Sequence, residues 1–232
     1  MKNELMAIVV FLLVLFCVTP AFAAEIKVSG FAQAQFVYDA SSIGKETYFT
    51  VKRARAIIKG DLGDNIGLFS QLEMFTTAVN ILDLVIDYNI SGIAKVGIGR
   101  FTKPFGLQNP VSPYNLNTIN YAQVVAKLIG SGGRDFGIRV TGNISGIDWV
   151  VAAVSGNDGG TTVVNSTDNN TAKDIIARIG VAPIENLNLG VSVYKDCSNG
   201  AIASRIGGDL KYEKAPIYFQ LEYIYGKDGD LD

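Results

Sequence analysis

The sequence FTVKRARAIIKGDLGDNIGLFSQLEMF, residues 49–75, contains the pattern that decides the fold. Apolar residues alternate with polar and charged residues on both sides of a glycine- and aspartate-rich segment, residues 60–65. Alternation with a period of two is typical of β-strands, because successive side chains of a strand point to opposite faces. The stretch therefore predicts a β-hairpin in which Arg53, Arg55 and Lys59 share one face, opposite an apolar face.

The same alternation recurs along most of the chain after residue 24, between clusters of Gly, Asn, Asp and Pro. It predicts about eleven strands and essentially no helix. It also places Lys52 on the apolar face, near a strand end from which its amine can reach water. The predicted strands are Lys27–Tyr38, Phe49–Lys59, Ile66–Phe75, Ile81–Asn89, Ile93–Phe101, Arg134–Thr141, Ile147–Ser155, Asp174–Ala182, Leu187–Lys195, Ser204–Tyr212 and Ile217–Tyr225.

The connections between these strands alternate in length. Every second connection is a short turn, whereas the others vary, and the longest runs from Thr102 to Gly133. Short turns on one side and long loops on the other are typical of an outer-membrane β-barrel. Aromatic residues near the strand ends agree with the two interface girdles of such a barrel, namely Tyr38, Phe49, Phe75, Tyr88, Phe101, Tyr212 and Tyr225. A secreted β-sandwich or a β-solenoid is the alternative.

The N-terminus predicts export. A charged start precedes an apolar run, residues 5–18, and a small-residue site follows at Ala21-Phe22-Ala23. We expect a signal peptide at residues 1–23 and a barrel domain at residues 24–232. An uncleaved membrane anchor is the alternative interpretation of the same run.

Composition excludes several functions. The sequence has no histidine and only two cysteines, Cys17 and Cys197, so we expect no metal site and no cofactor. The net charge of −2 gives no basic surplus for binding nucleic acid. Because no serine lies in a nucleophile motif either, we expect no enzymatic activity.

Three blocks resemble the phosphate-selective porin O and P family. They are KRARAIIKGDLGDN at residues 52–65, VGIGRFTKPFGL at 96–107, and GRDFGI at 133–138 followed by WVVAAVSGND at 149–158. The resemblance covers about residues 30–158 and is diffuse beyond them. It implies a homotrimeric porin of about sixteen strands in the outer membrane of a Gram-negative bacterium, with the loop 102–133 folded into the lumen. The chain ends after an odd strand, and we expect it to be the N-terminal portion of such a barrel.

The function expected from this resemblance is passive diffusion of small hydrophilic solutes, including anions such as phosphate. The predicted partners are outer-membrane lipid and small anionic or polar solutes. A structural or adhesive barrel protein without channel activity is the alternative. The predicted pore-lining cations of an anion path are Arg53, Arg55, Lys59, Lys95, Lys103 and Arg139.

These cations have a second interpretation. Arg53, Arg55 and Lys59 could form salt bridges to Glu73 and Asp83 on neighbouring strands, and Lys103 could be an ordinary solvated loop lysine. Carboxylates on the same face make the predicted lumen mixed in charge.

The long loop returns to the predicted barrel wall at Arg134 and Asp135. We therefore expect these two residues to anchor the loop and not to contact solute.

Overall fold

The computed structural model describes residues 25–40, 46–75, 77–130, 132–156, 172–197 and 204–227. Eleven strands form one antiparallel sheet, and each pairs with its neighbours in chain order. The strands are β1 (Glu25–Asp39), β2 (Glu46–Asp61), β3 (Ile66–Glu73), β4 (Asn80–Ser91), β5 (Ala94–Thr102), β6 (Arg134–Ile144), β7 (Ile147–Val154), β8 (Asp174–Ile184), β9 (Leu187–Lys195), β10 (Ser204–Lys214) and β11 (Ile217–Lys227). This confirms the prediction of an all-β, porin-type sheet. The predicted signal peptide lies outside the described residues.

The two faces of the sheet differ in chemistry as the alternation predicts. One face, called here the apolar face, exposes large hydrophobic side chains; Ile98, Val191 and Leu221 are each 57 to 59% exposed. So extensive an exposed apolar surface is what lipid-facing strands require. The opposite face, called here the polar face, carries the charged residues of the strands. It includes Arg53, Arg55, Lys59, Glu73, Asp87, Lys95, Arg139, Arg178, Asp209 and Glu222.

A β-bulge in β2 corrects the predicted position of Lys52. Gln33 pairs with Arg53 and Ala34 pairs with Val51, so Lys52 is an extra residue without a partner in the ladder. A bulge of this kind places two successive side chains on the same side of the strand. The Lys52 amine therefore lies above the polar face, where it donates to the Asn120 side chain, and does not face lipid. The extra residue shifts the register of β2 by one, so that Phe49 and Val51 lie on the same face as Ala54.

The polar face carries a buried apolar cluster that the alternation did not predict. It consists of Val85, Phe101, Phe105, Val125, Ile129, Ala152, Val154, Ile176 and Ile224. Three of these residues, Phe105, Val125 and Ile129, come from the segment between β5 and β6, and the others come from the strands beneath it. The segment therefore packs onto the polar face through its own hydrophobic residues.

Two further sequence predictions are corrected. The segment between β5 and β6 contains a short helix, α1 (Gln123–Leu128), and a 3₁₀ turn at Pro113–Asn115, where no helix was expected. Phe101, predicted for a membrane-interface girdle, is only 1% exposed, because it shares the face of Lys95 and belongs to the buried cluster. In the described part of the chain, no helix is long and apolar enough to cross a membrane.

Candidate functional site

The segment 103–133, called here the long loop, is closed at its neck. The Lys103 amide donates to the Gly133 carbonyl at 2.8 Å. Asn109 fixes the same neck from inside the loop: its Nδ2 donates to the Lys103 carbonyl at 2.8 Å, and its Oδ1 accepts the Gly133 amide at 3.1 Å. Because Asn109 is only 1% exposed, these bonds satisfy its buried polar atoms. The long loop therefore starts and ends at one point of the wall.

One partly buried phenol, that of Tyr121, orders the interior of the long loop. The Tyr121 hydroxyl donates to the Val111 carbonyl at 2.7 Å. Burial raises the pKa of the Tyr121 phenol, although the positive charge of Arg134 acts in the opposite direction. Tyr121 is therefore a neutral hydrogen-bond donor near neutral pH.

On one side the long loop meets β1 and β2. The Nη1 atom of Arg53 donates to the Ile119 carbonyl at 3.0 Å and to the Gln33 side chain at 2.6 Å. The Tyr114 ring lies 5.6 Å from the Phe31 ring, centroid to centroid. Arg53 thus lies at the boundary between the wall and the exposed edge of the loop, residues 114–120.

On the other side the long loop meets β9 and β11. The Gly106 amide donates to Ser192 Oγ at 2.9 Å, and the Leu107 amide donates to Glu222 Oε1 at 2.9 Å. Residues of β2 and β11 are far apart in the strand order, so the loop extends across the polar face of the curved sheet.

Behind the loop, Arg55 and Arg134 belong to one buried network. Arg55 Nε donates to Glu73 at 2.9 Å, and Arg134 Nε donates to Asp83 at 3.0 Å. Both arginines also donate to Gln71 Oε1, at 3.3 and 3.0 Å. All five residues are 9% exposed or less. These contacts match the second interpretation of Arg55, in which it forms a structural salt bridge to a neighbouring strand. Arg134 also donates to the Gly132 carbonyl of the loop at 2.8 Å.

Three predicted cations line one cavity of about 510 Å³ between the long loop and β2–β6. They are Lys59, Lys95 and Arg139. Asp87 forms ion pairs with two of them, at 3.6 Å to Lys95 and 3.4 Å to Arg139. The Arg139 guanidinium also lies 5.0 Å from the centre of the Phe101 ring. Lys59 has no ion pair in the part of the chain that the structure describes.

The remaining predicted residues lie at the two ends of the long loop. The Lys103 amine lies 5.5 Å from the centre of the Tyr194 ring. Asp135 is 1% exposed; its carboxylate accepts the Phe136 amide at 2.8 Å and the Gly156 amide at 2.9 Å. Asp135 therefore joins the end of the long loop to the end of β7.

Comparison with known proteins adds the decisive observation. The sequence profile of the family described as phosphate-selective porin O and P matches residues 26–223, which is most of the chain. The chain belongs to this family. The predicted resemblance is thereby confirmed, and the porin is assigned to the outer membrane of a Gram-negative bacterium. No curated protein matches the sequence significantly.

Solved structures support the fold of the porin. The anion-selective porin from Comamonas acidovorans is 12% identical, with a TM-score of 0.64, over 90% of this chain and 70% of that one. The outer membrane channel DcaP of Acinetobacter baumannii is 13% identical, with a TM-score of 0.65, over 90% of this chain and 65% of that one. This chain thus spans less than two thirds of the DcaP chain. Both likenesses concern the architecture alone.

Sequence reasoning missed two features of the porin. Ser192 and Glu222 bind the loop, but they lie 86 and 115 residues from the loop amides that they accept, so no local pattern pairs them. The second feature, the charge of the long loop, is visible in the sequence itself: residues 102–133 contain no Asp or Glu, and their cations are Lys103 and Lys127.

Proposed function

We propose that the porin passes small hydrophilic solutes by passive diffusion, with a preference for anions, through a constriction beside the long loop. One observation carries the proposal: the long loop contains no carboxylate, while Arg53 of the wall contacts its exposed edge. Because a permeating ion passes close to the narrowest element, the charge of that element affects ions most strongly.

Most carboxylates of the polar face are compensated by cations, whereas Glu222 is bound by backbone amides of the long loop. Glu73, Asp83 and Asp209 each pair with an arginine, and Asp87 pairs with two cations. The three arginine pairs have little net charge to offer a passing ion, whereas Asp87 with its two cations keeps one net positive charge. The mixed charge predicted from the sequence therefore does not cancel the anion preference.

Three of the predicted cations are not compensated in this way. Within the described residues, Arg53, Lys59 and Lys103 form no ion pair, so their positive charge is available to solute. At about 4 Å in water, one such charge attracts an anion by about 1 kcal/mol, which offsets part of the cost of removing its hydration shell. Lys95 and Arg139 extend the path inside the cavity. Phosphate is one anion that this path suits, and chloride is another.

The other predicted residues have supporting roles in this proposal. Arg134 and Asp135 anchor the long loop through their contacts on both sides of the neck. Arg55 braces the wall, since a buried cation paired at 2.9 Å is not available to solute. The proposal assigns the chain no catalysis, because the sequence lacks histidine and the family and fold are those of a channel. A homotrimer in outer-membrane lipid is the assembly we propose.

Conductance of the refolded chain in planar bilayers tests this function. We expect discrete current steps in KCl and, under a salt gradient, a reversal potential that indicates chloride selectivity. Added phosphate should reduce the chloride current if the two anions share the path. Cation-selective current would refute the anion path, and absence of current from a homologous porin with a closed barrel would favour the structural or adhesive alternative.

A further inference from the structure

Three consecutive backbone amides of the long loop donate to side chains of the wall, one to a residue of β9 and two to a carboxylate of β11. The Gly106 amide donates to Ser192 Oγ at 2.9 Å. The Leu107 amide donates to one oxygen of the Glu222 carboxylate at 2.9 Å, and the Gln108 amide donates to the other at 3.3 Å. Successive N–H groups that converge in this way form a concavity that binds anions. Here the anion is a side chain of the protein itself.

The charged neighbour of Glu222 is engaged by another residue, so the long loop is the partner that remains for the Glu222 carboxylate. Its ladder neighbour Asp209 is engaged by Arg178, which also donates to Ser192 Oγ at 3.2 Å. Within the described residues Glu222 forms no ion pair. A carboxylate in a half-buried position requires hydrogen-bond donors, and amides of the long loop supply two.

Gly106 makes this arrangement possible. Its φ of +70° lies in the left-handed region, which glycine adopts without strain. A Cβ atom at this position would also collide with a Glu222 carboxylate oxygen. The loop conformation and the carboxylate position therefore depend on each other.

We infer that Glu222 is a positioning residue that holds loop residues 106–108 against β9 and β11 and thereby sets the width of the constriction. The opposite edge of the loop is held separately by Arg53 and Lys52 on β2. Because the buried cluster around Val125 fixes the loop between these two attachments, loss of Glu222 should release one edge only. The effect on width rests on the proposed channel function, whereas the attachment itself does not.

Amide hydrogen exchange of the refolded protein tests the attachment. Glu222→Gln replaces one acceptor oxygen by a donor, so the amides of Leu107 and Gln108 should exchange about ten- to a hundredfold faster. Gly106→Ala should have the same effect from the loop side. Glu213→Gln is the matched control: it removes one negative charge from the polar face of β10 beside the same loop residues, but within the described residues Glu213 pairs with Lys211 and accepts no amide of the long loop. Exchange should be unchanged in this control.

Single-channel recording then tests the width. We expect Glu222→Gln and Gly106→Ala to change the unit conductance in the same direction, and Glu213→Gln to leave it at the parent value. Unchanged exchange at residues 107 and 108 in both variants would overturn the inference, as would an equal effect of Glu213→Gln. If neither the parent chain nor a homologous porin with a closed barrel carries current, the proposed function fails, while the exchange result still decides whether Glu222 holds the loop.

Discussion

Replacement of Arg53 by glutamine should reduce the anion preference of the porin without releasing the long loop. Glutamine carries no charge and is too short to keep the 3.0 Å contact with the Ile119 carbonyl, but Lys52 and the buried cluster around Val125 still hold the loop. For an ion about 5 Å away in water, one unit charge contributes about 0.8 kcal/mol, and about 0.1 M salt reduces this to about 0.5 kcal/mol. Anions lose this attraction and cations lose an equal repulsion. The anion-to-cation permeability ratio should therefore fall about fivefold.

The assay for Arg53 is the reversal potential across a planar bilayer under a KCl gradient. Arg53→Lys keeps the charge and should keep the permeability ratio within about twofold. Lys27→Gln serves as a second control, because Lys27 is paired with Glu25 at 2.9 Å near the end of β1, away from the long loop. A ratio that is unchanged in Arg53→Gln, or that falls equally in Arg53→Lys, would refute the role of the Arg53 charge.

Two substitutions and two deletions test the packing around the channel. Arg55→Met should lower the free energy of unfolding by about 3–5 kcal/mol, because it leaves the Glu73 carboxylate buried and unpaired; urea titration followed by circular dichroism should show the earlier transition. Phe105→Ala removes a fully buried ring and should destabilise the protein by about 3–5 kcal/mol in the same titration, with noisier single-channel current as the loop loosens. Deletion of Lys52 should permit refolding, because Lys52 is the extra residue of a bulge, whereas deletion of Val140 in a strand without a bulge should prevent it. Heat-modifiable mobility in gel electrophoresis distinguishes these two outcomes, and equal mobility of both deletions would contradict the argument.

The strands and their two faces were predictable because alternation is a local property. Each strand must present apolar side chains to lipid at every second position, so a single stretch such as residues 49–75 already carries the information. The short turns were predictable for the same reason: Asn65 and Ser145 adopt positive φ angles at points where polar turn residues interrupt the alternation. The position of Lys52 was not predictable, since one inserted residue changes which face its neighbours occupy and leaves no mark in composition.

The predicted site residues depended more strongly on distant contacts. Arg53 and Arg55 look equivalent in sequence, two positions apart on one face, yet only Arg55 pairs with Glu73. The difference arises because the ladder aligns Arg55 with Glu73, while Arg53 lies beside the bulge and meets the loop. Register and loop path decide which cation is compensated.

The sequence by itself determined the strand content, the alternating faces and the turns, because these follow from side-chain direction and backbone propensity within a few residues. The resemblance of three short blocks was also enough to indicate the family. Only the tertiary structure decided how the long loop lies on the polar face, which charges are paired and that Glu222 meets the loop. Those contacts join residues up to 115 positions apart, and they exist only once the sheet curves and brings β2 and β11 to the two sides of one loop.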